Sequence, residues 1–121
     1  MRENGDVSIR NAIWIVNTVG CVNKIAQRMA AGVHMVLFTT GRGTPLSGPV
    51  PTVKIATNHE LAVRKKNWID FDASPLLGDI TMQGLTNELF SYILKVASGE
   101  ETCNERYGYR EISIFKGGVT L

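Results

Sequence analysis

Residues 33–57, VHMVLFTTGRGTPLSGPVPTVKIAT, decide how this chain is to be read. An apolar run over 33–38 ends in Thr39 and Thr40, enters Gly41-Arg42-Gly43-Thr44-Pro45, and returns past Pro49 and Pro51 to a second run, Val53-Lys54-Ile55-Ala56. Two strands around a polar loop follow from the β-branched content of the runs and the glycines and prolines between them. Glycines at 41, 43 and 48 let a backbone approach a ligand closely, and Arg42 presents a planar fork of donors that matches a carboxylate or phosphate. Function is expected at this loop.

Toward the N-terminus, Ala12-Ile13-Trp14-Ile15-Val16 reads as a strand apolar on both faces, the pattern of a sheet covered on each side. Residues 21–31 place Val22, Ile25, Ala26 and Met29 at helical spacing, and Gly32 suits the C-terminal cap. With the strand at 33 they make a βαβ unit, right-handed by the general rule. Toward the C-terminus, Asn58 is an N-cap for a short helix over 59–65 carrying Leu61 and Val63. Residues 67–72, NWIDFD, alternate apolar and acidic side chains and predict a short strand or extended segment with Trp68 beneath it.

The strongest helical pattern covers 80–97. Met82, Leu85, Leu89, Ile93 and Val96 recur at steps of three and four, and Phe90, Leu94 and Ala97 widen the stripe. Gly99 ends it, residues 100–108 read as a polar loop, and 110–115 alternate as a final edge strand. The expectation is one α/β domain over 1–121, with a small, mostly parallel sheet flanked by helices and a Rossmann-like βαβ start. The glycine loop would lie at the carboxyl ends of the strands, where such sheets bind ligands.

Composition narrows the function classes. A chain of 121 residues, 44% hydrophobic and 20% charged, can bury one core without staples. The formal net charge of +2 is small, and the densest basic run, Arg64-Lys65-Lys66, reads as a solvated helix end, so no nucleic-acid partner is expected. No run of apolar residues is long enough for a membrane span and the opening residues do not read as a signal peptide, which points to the cytoplasm. Cys21 and Cys103 lack the spacing of a disulfide framework or a zinc site, so free thiols are expected.

Three stretches, HMVLFTTGRGTPLSGPVPTVKIATN, KKNWIDFDAS and REISIFKGGVTL, closely resemble the C-terminal part of the altronate and galactarate dehydratase family. RENGDVSIRNAIWIVNTVGCVNKIAQRMA resembles the opening of that family's main catalytic part. Residues 1–31 and 32–121 thus meet near Ala30, Ala31 and Gly32, where family members carry a long intervening region, so an internal deletion is expected there. The resemblance implies a hydro-lyase of hexuronate catabolism. Its substrate would be a small sugar acid, altronate, losing water to give 2-dehydro-3-deoxygluconate in a reaction that depends on ferrous iron.

Removing a proton beside a carboxylate needs a base, and the developing enediolate needs cations or a metal. The expected substrate-binding residues are Thr39, Thr40, Gly41, Arg42, Gly43, Thr44 and Lys54, with Arg42 as the carboxylate clamp; the bland reading of Arg42 is a surface side chain in a turn. Lys54 assists only if its strand ends at the site, and otherwise points outward. Cys21, at a strand-to-helix junction, is the candidate iron ligand, or else a small buried residue. His34 reads as a core or edge histidine and His59 as exposed. Asp70 and Asp72 share one face, either solvated or near a hard cation. No residue is assigned as the catalytic base. Two functions stay open: a lyase acting alone or as a homo-oligomer that rebuilds the site, and a non-catalytic anion-binding or structural remnant.

Overall fold

A computed structural model describes residues 30, 32–43 and 47–109. The expected strand over 12–16, most of the helix over 21–31 and the edge strand over 110–115 lie outside the described residues, and with them the Rossmann-like start. Ala30 is helical and Gly32 follows with φ +98°, the left-handed conformation of a helix-ending glycine.

The described sheet has three strands in the order β1 (Val36–Thr40), β2 (Thr52–Ala56), β3 (Phe71–Asp72), and both pairings are parallel. The α/β class with a small parallel sheet is therefore as read from the sequence. β1 begins later than the apolar run suggests and takes in Thr39 and Thr40. Parallel neighbours are usually joined through a helix. Here residues 41–51 make the connection with no helical residue among those described.

β2 organises the core because every one of its residues is buried. Val53 and Ile55 face one side, where Val96 completes a cluster packed by Met35, Phe71, Ala73, Leu89 and Tyr92. Alternation sends Ala56 to the other side, against Leu61, Ile69 and Ala62. Between Thr52 and Ala56 on that second side, Lys54 is 0% exposed. Lys54 is therefore not the outward residue of its bland reading, and the reason is simple. β2 is the central strand, and both of its faces are covered.

After β2 comes α1 (His59–Arg64), capped by Asn58, whose side-chain oxygen accepts from the Leu61 amide at 2.8 Å. Only Leu61 is buried on it; Val63 is exposed. Lys65 closes the helix and holds its ammonium 4.6 Å from the Trp68 ring centroid, so Trp68 is half-buried beneath a cation rather than in the core. A 3₁₀ turn (Ser74–Leu77) leads to α2 (Met82–Ala97), capped by Thr81, which accepts from the Gly84 amide at 3.1 Å. Gly99, at φ +111°, follows its end as expected.

The stripe on α2 is narrower than its sequence suggests. Leu85 and Val96 are buried and Leu89 and Tyr92 pack on the core, whereas Met82 is 64% exposed and Phe90 and Leu94 are exposed too. Residues 100–108 are not all loop: α3 (Cys103–Arg106) forms there on a capping box, Thr102 with Glu105. Thr102, Cys103 and Asn104 are buried.

Candidate functional site

Parallel register brings the carboxyl ends of the strands level: Thr40 stands beside Ala56, and Ala56 beside Asp72. The loop after β1, the turn into α1 and the end of β3 therefore share one rim of the sheet, the usual ligand-binding rim in open α/β folds.

The loop after Thr40 is tied down residue by residue. Thr57 donates to the Thr40 carbonyl from its amide at 3.1 Å and from its hydroxyl at 3.3 Å. The Asn58 side-chain amide donates to the Gly41 carbonyl at 2.9 Å, and the Lys65 ammonium to the Arg42 carbonyl at 3.0 Å. The Gly43 amide turns back to the Thr40 hydroxyl at 2.9 Å. Gly43 sits at φ +78°, and a Cβ there would lie 2.9 Å from Leu61 Cδ1 and 3.0 Å from Lys65 Cδ. This glycine is needed so that the loop can lie against α1.

With the Gly43 amide occupied internally, the loop presents side chains to a ligand. Arg42 and Thr39 are exposed, and the Arg42 guanidinium has no partner among the described residues. A guanidinium whose own backbone is pinned loses less freedom on binding a carboxylate in a bidentate pair. Of the residues expected to bind substrate, Thr39, Thr40, Gly41, Arg42 and Gly43 are gathered here. Thr44 lies outside the described residues. Lys54 is buried in β2, two positions before the end of that strand.

Asp70 and Asp72 are both partly buried, and each is held by protein partners rather than lying on an open solvated face. Asp70 Oδ2 accepts from the Lys54 amide at 2.8 Å, while Oδ1 accepts from the Cys103 amide at 2.7 Å and the Tyr92 hydroxyl at 3.3 Å. That carboxylate ties β2, α2 and α3 together. Burial foremost, then the nearby Asp70 charge, pushes both the Tyr92 hydroxyl and the Cys103 thiol up from their ordinary ranges. Cys103 is a buried free thiol, as expected of the cysteines. Asp72 instead accepts from the Ser74 amide at 2.9 Å and faces His59 Nδ1 at 3.0 Å. Partial burial opposes its ionisation, but the Ser74 and His59 hydrogen bonds outweigh it and hold the carboxyl below its usual range.

Exposure of His59 agrees with its sequence reading, and His34 is exposed rather than in the core. Sequence reasoning missed Thr57 and the second role of Asn58. Their signal was a pair of small polar residues directly after a buried strand, where side chains can hold a neighbouring loop. Among the described residues no group of three or more His, Cys, Asp or Glu converges on a metal position, and Cys21 lies outside them. Nor is any described helix long and apolar enough to cross a membrane.

The chain is similar to known proteins along nearly all of its length. The family model described as D-galactarate/altronate dehydratase, C-terminal, matches residues 3–120. Altronate dehydratase of Escherichia coli (strain K12) is 60% identical over 91 residues, which cover 75% of this chain and 18% of that protein. Altronate dehydratase of Bacillus subtilis (strain 168) is 50% identical over 93 residues, 76% of this chain and 19% of that one. Galactarate dehydratase (L-threo-forming) of Escherichia coli is 38% identical over 93 residues, 74% and 18% respectively. The chain thus spans less than a fifth of the length of these relatives.

Proposed function

The chain belongs to the D-galactarate/altronate dehydratase family, and from that premise we propose that its sheet rim is the carboxylate-holding part of a sugar-acid dehydratase. The substrate is D-altronate, which loses water to give 2-dehydro-3-deoxy-D-gluconate in hexuronate breakdown. The observation that carries this reading is the exposed Arg42 guanidinium, unpartnered among the described residues, on a loop whose carbonyls at 40, 41 and 42 are all held by the α1 side. When the proton beside the carboxylate leaves, negative charge moves onto the carboxylate oxygens. A bidentate guanidinium therefore binds the transition state more tightly than the ground state.

Ferrous iron belongs to the proposal through the family alone. The described residues supply no set of three ligands for it, so they do not fit an iron shell by themselves, and Cys21 is the residue proposed to contribute. The cytoplasm, where hexuronates are degraded, is the proposed location. Turnover of D-altronate with ferrous iron under reducing conditions tests the activity. Formation of the keto acid, abolished or reduced at least about tenfold by Arg42→Ala, is the expected result. Product formation that is indifferent to Arg42→Ala would remove Arg42 from the mechanism.

A second reading is favoured by the chain's span of less than a fifth of its relatives. On that reading the rim binds the acid without turning it over, because base and metal ligands belong to the part of the relatives that this chain does not match. Saturable altronate binding that needs Arg42, with no keto acid above the blank, distinguishes it from the lyase.

A further inference from the structure

The same rim holds a titratable pair that the Arg42 reading leaves unused. Asp72 closes β3, and its two oxygens have different partners: Oδ1 accepts from the Ser74 amide at 2.9 Å, and Oδ2 faces His59 Nδ1 at 3.0 Å. One oxygen is thus fixed by backbone while the other orients an imidazole. An ionised carboxylate only accepts hydrogen bonds, so the hydrogen sits on Nδ1, and Nε2 of the neutral ring is left as an acceptor. The His59 side chain is 75% exposed and that of Asp72 28%. Nε2 has no partner among the described residues.

One hydrogen bond joins the turn that carries His59 to the loop that carries Arg42. The Asn58 side-chain amide donates to the Gly41 carbonyl at 2.9 Å. His59 is the residue after Asn58, and Arg42 is the residue after Gly41. His59 and Arg42 are therefore the chain neighbours of the two residues that one bond joins, on a rim further tied by both Thr57 contacts with the Thr40 carbonyl.

We propose that His59, oriented by Asp72, accepts a hydrogen bond from a hydroxyl of an acid whose carboxylate lies on Arg42, and so selects hydroxy acids over plain carboxylates. The inference rests on the Arg42 reading and adds a specificity-determining contact to it. Guanidinium recognition is satisfied by any carboxylate, since two parallel N–H donors meet two oxygens. A neutral Nε2 needs a donor, which a polyhydroxy acid has and acetate lacks. A site with both groups holds a sugar acid at two points, and the second point carries the discrimination.

Isotope-labelled full chain, titrated by NMR under mildly alkaline conditions, tests this with two probes, D-altronate and acetate. Acetate is expected to move the Arg42 and Gly43 amide signals and leave the His59 ring nitrogens still. Altronate is expected to move all of them with one midpoint. His59→Ala should weaken altronate about fivefold, the loss of one neutral hydrogen bond, and leave acetate affinity as it was. Asp72→Asn should weaken altronate in the same direction by freeing the ring. If altronate moves the loop amides but not the His59 nitrogens, or if His59→Ala binds altronate like the unaltered chain, the inference is overturned and the Arg42 reading stands. If altronate moves neither, both fall. The ring-nitrogen measurement uses the unaltered chain and so does not depend on any variant folding.

Discussion

Asp70 joins parts of the chain that lie 16, 22 and 33 residues away through the Lys54 amide, the Tyr92 hydroxyl and the Cys103 amide. Replacing it by asparagine keeps the shape but turns one acceptor into a donor facing another donor. A buried amide left without an acceptor costs about 1–3 kcal/mol. Asp70→Asn is therefore expected to lower stability to urea by about that amount, with Asp70→Ala worse; equal midpoints for all three proteins would show that the clamp contributes nothing. Gly43 makes a second residue-scale case. Gly43→Ala must hold a side chain at φ +78° with its Cβ 2.9 Å from Leu61 Cδ1. About 1–2 kcal/mol of destabilisation is expected from the backbone conformation alone, read from the same urea curves. Neither role could be read from the sequence, because each depends on a partner brought close only by the fold.

At the scale of elements, what was legible is what local chemistry controls. Asn58 before α1, Gly99 after α2 and the β-branched runs of β1 and β2 each announced themselves through their own residues. α3 was hidden because its composition is polar, although Thr102 and Glu105 spell a capping box that a search for caps rather than apolar periodicity would have found. The face of α2 was overread for the opposite reason: periodicity tells which residues share a stripe but not how much surface exists to receive them. Two substitutions test the assignment. Leu85→Ala, at a buried position, should cost about 2–5 kcal/mol, whereas Leu94→Lys, at an exposed one, should stay within about 0.5 kcal/mol. A large loss at Leu94 would mean that the outer face is packed after all. The burial of Lys54 was hidden by the same gap between pattern and context, since alternation along one strand cannot reveal that the strand is central.

For the molecule as a whole, the buried groups around Asp70 set its response to alkali. Burial and the Asp70 charge raise the Cys103 thiol and the Tyr92 hydroxyl in the folded state. Groups raised on folding keep their protons longer in the native state than in the unfolded chain. Their stabilising contribution is complete below the unfolded values and is lost as pH rises above them toward the folded ones. The urea midpoint should accordingly fall as pH rises above about 8.5, through Cys103, and further above about 10, where Tyr92→Phe should flatten the slope. Asp72 acts at the other end with the opposite sign. Its lowered carboxyl adds stability above the ordinary carboxylate range that fades as pH falls through the folded value.

The Lys65 side chain that holds the Arg42 carbonyl also lies over the Trp68 indole. An ammonium that shifts its position alters the electric field on that chromophore. The molecule thus carries a built-in optical gauge of its own loop. With the other indole silenced by Trp14→Phe, steady-state emission should follow any guest that tugs on residue 42.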